Sequence, residues 1–204
     1  MRNAFDIFLI EEILPSIRKA LFREDKLIKK QFNRSIHSKF YEDDTKGISS
    51  YILTERTLQY IIFKELCLNF KVLPEDSAYF NTKERLDLSI YKNIKDPDKF
   101  AEIGIEIKQV RYNRNGGLHK RSVKGIENDF DKIKRAGNKN KYILLFGVHD
   151  QKHINIDFLN SFLKSEIDNR KFKKYHLEVI AQDYFKTEVN NQKKNYIINL
   201  IKLI

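Results

Sequence analysis

The chain has 204 residues, enough for one domain with a substantial core and too few for two ordinary ones, and with only 7 Gly and 3 Pro it has little material for a flexible linker. Lys and Arg number 39 against 28 Asp and Glu, a net charge of +11 with a pI near 9.5, so a polyanionic partner is expected, nucleic acid before membrane. A single cysteine, Cys67, excludes an internal disulfide or a multi-cysteine zinc site, no apolar run reaches the roughly 20 residues of a membrane span, and Glu11 and Glu12 stand where a signal peptide needs small neutral residues, which makes the expected location cytoplasmic.

In chain order, apolar residues recur at helical spacing through "FDIFLIEEILPSIRKALF", with a break expected at Pro15, and a polar stretch runs from Lys29 to Ser50. A second helix is predicted between about Ser50 and Asn69. "FKVLPEDSAYF" and "RLDLSIYKN" read as short strands, and Asp96-Pro97-Asp98 has turn chemistry. Ala101 to Val110, "AEIGIEIKQV", alternates as a strand, with Ala101, Ile103, Ile105 and Ile107 on one face and Glu102, Gly104, Glu106 and Lys108 on the other. The polar loop "RYNRNGGLHKRS" follows, then an amphipathic helix from about Ser122 to Arg135 and the apolar run "KYILLFGV" of a buried central strand. A helix around Ile156 to Ile167 and the strand "YHLEVIAQ" come next. In "NYIINLIKLI" the spacing of Asn195, Asn199 and Lys202 predicts a packing helix. The expected architecture is an α/β sandwich with a mixed sheet, in one domain over 1–204: a helical extension at 1–48, a core over about 50–181 and a C-terminal helix at 190–204.

Chemistry concentrates in two of these strands and one helix. Asp87 shares the polar face of its strand with Arg85, Ser89 and Tyr91, as Glu106 and Lys108 share theirs. If the two strands pair, Asp87 and Glu106 can share a divalent cation through hard oxygen ligands with Lys108 beside it; the alternative is an ordinary solvated strand face. On a helical wheel Glu55 falls among Tyr51, Leu58, Ile62 and Leu66, and an inward carboxylate needs a cation, a metal or strong donors. If the helix begins at Thr54, Glu55 is instead a first-turn residue facing the helix dipole. The basic residues Arg111, Arg114, His119, Lys120, Arg121 and Lys124 after the second strand suit a loop that reaches phosphates or base edges. His149 and His153, for want of further ligands, read as loop histidines; Asn33-Arg34-Ser35 is a sequon without secretory context, and there is no Walker loop or dinucleotide fingerprint.

Glu55 in a helix, Asp87 in "RLDL", Glu106-Ile107-Lys108 closing an alternating strand, then a helix and a buried strand, resemble in that order the PD-(D/E)XK nuclease superfamily, the restriction-endonuclease-like fold. The resemblance covers roughly residues 50 to 150 and lies in motif order; Leu86 stands where many members have proline, and Gln109 after the lysine occurs in some branches. It implies an αβββαβ core and a catalytic set of Glu55, Asp87, Glu106 and Lys108. It further implies Mg²⁺, with Mn²⁺ as a substitute, on Asp87, Glu106, the Ile107 carbonyl and, directly or through water, Glu55. Lys108 would orient or deprotonate the attacking water and neutralise phosphate. The implied activity is DNA endonuclease, most like a type II restriction enzyme acting on double-stranded DNA as a homodimer. A repair, recombination or nicking nuclease of this fold, or an inactive DNA-binding module, are the alternatives.

Overall fold

The computed structural model describes residues 3–32, 39–41, 49–51, 54–76, 84–91, 102–110, 118, 120–149, 172, 174–189 and 192–204. The chain enters its first helix through a reciprocal cap: Asn3 Oδ1 accepts from Asp6 N at 2.8 Å and Asp6 Oδ2 accepts from Asn3 N at 2.9 Å. Helix α1 (Ala4–Phe8) runs through a π-helical turn (Leu9–Ile13) into α2 (Leu14–Phe32). The break expected at Pro15 does not occur. A proline ring clashes with the carbonyl four residues back and brings no N–H, but here Leu14 N bonds to Leu9 O, and this widened turn lets the helix pass.

A small hairpin, β1 (Lys39–Tyr41) with β2 (Ser49–Tyr51), replaces part of the expected helical extension. Helix α3 (Glu55–Leu66) therefore starts later than the predicted Ser50. Its boundary is set by Thr54, whose hydroxyl accepts from Thr57 N at 3.3 Å. Next come β3 (Lys71–Asp76), β4 (Leu86–Tyr91), β5 (Ile103–Gln109), α4 (Lys120–Lys134), β6 (Asn140–His149), β7 (Leu177–Val189) and β8 (Gln192–Leu203). The turn at Asp96–Asp98 and the helix expected at 156–167 lie outside the described residues.

The main sheet has the order β3-β4-β5-β6-β8-β7. Among the described strands only β5 and β6 pair in parallel, and α4 is the crossover that a parallel pair requires. The mixed α/β sheet is as expected, and α3-β3-β4-β5-α4-β6 follow in the anticipated order. The C-terminal segment is a correction: 192–203 is not a helix but an interior strand, paired with β6 on one side and β7 on the other. Tyr196 to Ile201 are all buried because both faces of β8 are covered, so no alternation shows.

One face of the sheet packs on α1, α2 and α3, where Leu9, Ile17 and Leu21 meet Leu58, Ile62, Ile105, Ile107 and Ile198. The opposite face packs on α4 through Ile126, Phe130 and Ile133 against Ile143 and Leu145. β5 is consequently buried on both sides, and its polar residues lie beneath α4. Gly104 belongs to this packing, since a Cβ there would stand 2.8 Å from the Asn138 side chain. Among the described residues no helix is long and apolar enough to cross a membrane.

Candidate active site

Strands β4 and β5 pair antiparallel through Leu88–Ile105, Ser89–Gly104 and Ile90–Ile103. Continuing that register sets Asp87 directly across from Glu106, on the face beneath α4. The strands fork there, and a side chain takes over from the backbone ladder: Ile107 N donates to Asp87 Oδ2 at 2.7 Å. The Asp87 and Glu106 carboxyl groups lie within hydrogen-bonding reach of each other. Glu106 is only 2% exposed, and a carboxylate so buried needs a counter-charge. Lys132 of α4 provides it, its Nζ at 2.7 Å from Oε1 and 2.9 Å from Oε2.

Lys108, one step further along the same face, is held between two acids. Its Nζ lies 3.1 Å from Asp129 Oδ2 of α4 and 3.4 Å from Glu55 Oε1 of α3. The Asp129 contact is an ion pair set off the axis of a hydrogen bond. Gly125 leaves room for the lysine stem, because a Cβ there would stand 3.0 Å from Lys108 Cε. Glu55 satisfies both sequence readings at once: it is the first residue of α3 after the Thr54 cap, yet its carboxylate turns to β5, where Oε2 accepts from Gln109 N at 2.9 Å. Tyr51 is in β2 and no part of the α3 stripe.

The electrostatics follow from this crowding. Burial raises the Asp87 carboxyl above its usual value, and the Ile107 amide and Lys132 offset it only in part. Burial also raises Asp129; Lys108 opposes the shift, while Glu55 and Asp87 add to it by repulsion. For Lys108 burial acts downward, but Asp129 and Glu55 outweigh it and hold the ammonium above the usual lysine value. Among the described residues, four acids and two lysines thus crowd together beneath α4 in a chain whose net charge is +11.

Glu55, Asp87, Glu106 and Lys108 are thus brought together, with the Ile107 backbone between the last two. Arg111, Arg114 and His119 lie outside the described residues. Lys120, Arg121 and Lys124 belong to α4 rather than to a loop, a correction, with Arg121 and Lys124 exposed. The helix begins at Lys120, ahead of the expected Ser122. His149 ends β6, while His153 and Asn33–Ser35 fall outside the described residues. Sequence reasoning missed Asp129 and Lys132. A signal was present: Gly125, Asp129 and Lys132 stand at i, i+4 and i+7, a small-acid-base row beside the apolar row of Ile126, Phe130 and Ile133.

Among the described residues no three acidic, His or Cys side chains converge on one point as they stand; Lys108 and Lys132 engage the carboxylates instead. The donors are nevertheless of the kind a hard divalent ion takes, anionic oxygen. Comparison of the chain with protein-family models, with curated proteins and with solved structures gives no match.

Proposed function

We propose that the protein is a Mg²⁺-dependent DNA endonuclease of the restriction-endonuclease-like fold, with Mn²⁺ able to replace Mg²⁺. The observation that carries this reading is the fork between β4 and β5, which sets Asp87 opposite Glu106 beneath α4. Lys108 follows on the same face, paired with Glu55 and Asp129. Two carboxyl groups within reach of each other repel when both are ionised, an arrangement a structural ion network gains nothing from and a shared cation would relieve. A net charge of +11 in a chain that gathers acids beneath α4 suits a polyanionic substrate handled through a cation.

Asp87 and Glu106 would hold the ion, with the Ile107 carbonyl and Glu55 completing the oxygen set. When bound, the ion supplies a water made nucleophilic near neutral pH and a counter-charge for the developing phosphorane-like charge. Lys108, flanked by two carboxylates, is held as a cation, which suits it to orient the water and neutralise a phosphate oxygen. Asp129 and Glu55 fix where that ammonium points. Asp87 is fixed in turn by the Ile107 amide, so the acid does not depend on the ion for its orientation.

The particular activity proposed is that of a type II restriction enzyme acting on double-stranded DNA in the cytoplasm. Two strands require two sites, hence a homodimer. Supercoiled plasmid incubated with the protein and Mg²⁺ tests this. Discrete linear fragments are expected; open circles or a smear would point to a nicking or repair nuclease instead. Retention of DNA in a gel shift without any metal-dependent cleavage would leave a binding module and overturn the enzymatic reading.

A further inference from the structure

Lys132 touches the most buried acid of the site and has no place in the reading above. Its ammonium bridges both oxygens of Glu106 at 2.7 and 2.9 Å, and it is close enough to Asp87 to act on that carboxyl as well. One cation therefore already serves the two acids that face each other at the fork. Lys108 also acts on Asp87, but its own ion pairs are with Asp129 and Glu55.

We infer that Lys132 is a built-in stand-in for the divalent ion, occupying its seat at Glu106 and Asp87 until metal loading displaces the ammonium. The inference rests on the metal-dependent reading of the site. Charge supports it: a monovalent group leaves the two facing acids and a divalent one enters, so the pair gains one unit of positive charge. Burial gives the ammonium its place, since Glu106 is only 2% exposed and a carboxylate so buried keeps a close counter-charge in the absence of metal. The Lys132 side chain, 21% exposed, already reaches solvent at one end, and a long flexible stem lets an ammonium withdraw there while its methylenes stay packed. An arginine would do the task badly, because its two-pronged grip on a carboxylate is harder to release. The chain thus keeps its fold without metal, and the metal must compete with a tethered cation for its ligands.

Mn²⁺ binding to the full-length chain without DNA, read from the loss of the free-ion EPR signal, tests the exchange. Lys132→Gln removes the competitor and keeps a donor, and is expected to bind Mn²⁺ about tenfold more tightly or better. Lys132→Arg is expected to bind about tenfold more weakly. Each variant is informative without the other, so a failure of Lys132→Gln to fold without metal leaves the arginine arm to decide. Glu106→Gln should bind no Mn²⁺ at this site. If both Lys132 variants bind like the wild type while Glu106→Gln abolishes binding, Lys132 is a structural ion-pair partner only and the metal reading stands. If neither the wild type nor Lys132→Gln binds Mn²⁺, the metal reading falls and the exchange falls with it.

Discussion

Two buried carboxylate clusters lie on opposite faces of the same sheet, and they are built to different ends. Beneath α1, Asp6 is 1% exposed. It accepts from Asn3 N at 2.9 Å, from the Tyr142 hydroxyl at 2.8 Å and from Lys202 Nζ at 2.8 Å. Burial alone would raise its pKa, but those donors outweigh burial and hold the carboxyl below its usual value. Beneath α4, burial prevails, and both Asp87 and Asp129 are pushed up. One acid with one lysine and two neutral donors holds its charge and stabilises the fold; beneath α4, two acids face each other and burial outweighs the lysines near them. The lesson is that a buried charge identifies a candidate site only when its partners fail to neutralise it.

The sharpest break between the clusters should come from neutralising one acid in each. Asp87→Asn and Glu106→Gln are expected to lower plasmid cleavage by more than about 10²-fold. DNA affinity in EDTA should be equal or higher, since negative charge near phosphate has been removed. Asp87→Asn should also melt at or above the wild-type temperature, because it relieves the burial of an ionised carboxyl beside Glu106. Near-normal cutting by either variant would sink the assignment.

Asp6→Asn should do the reverse, lowering stability by about 3 kcal/mol in chemical denaturation while cleavage per folded molecule is unchanged. Lys108→Ala comes next, with about 10²-fold slower turnover at unaltered DNA affinity; equal losses in both would make it a plain phosphate contact. For Asp129→Asn a fall of about tenfold in turnover is expected, restored in part by Asp129→Glu, since this residue acts through the position of Lys108. Single-turnover rates at saturating DNA separate that role from a loss of binding.

The smallest effect concerns pH. Asp6 has a folded pKa below its unfolded one, so its contribution is present above the unfolded value, about 3.9, and fades as pH falls through the lowered folded value. Asn3, Tyr142 and Lys202 are the groups facing it. Stability measured from pH 5 downward should therefore fall less steeply in Asp6→Asn than in the wild type; parallel curves would remove Asp6 as the balanced cluster.

Where a segment has one wet or polar face, its periodicity speaks for itself. β4 and β5 were legible because Leu88 and Ile90, then Ile103, Ile105 and Ile107, alternate with residues that carry the chemistry. The start of α3 was misjudged because Ser49 to Tyr51 can continue a helical pattern, and only pairing with β1 makes them a strand. The C-terminal strand was misread for a related reason. Asn195 and Asn199 are four apart, a spacing that puts two residues on one face of a strand as well as of a helix. The apolar residues around them, covered on both sides, offered nothing to decide between the two. In the fold Asn199 is buried, accepting from Gln182 Nε2 at 2.8 Å across the β7–β8 hairpin.

By itself the sequence determined the mixed α/β class and the polar faces bearing Asp87, Glu106 and Lys108, because period, polarity and turn chemistry are local properties of a chain; the direction of Glu55 it left open. Only the tertiary structure decided which charges meet. Helix α4 had to cross from β5 to a parallel β6 before Gly125, Asp129 and Lys132 could lie over the fork, and that crossover is set by long-range pairing. Which lysine each acid meets depends on this packing, since the strength of a buried charge is fixed by the groups placed around it in space.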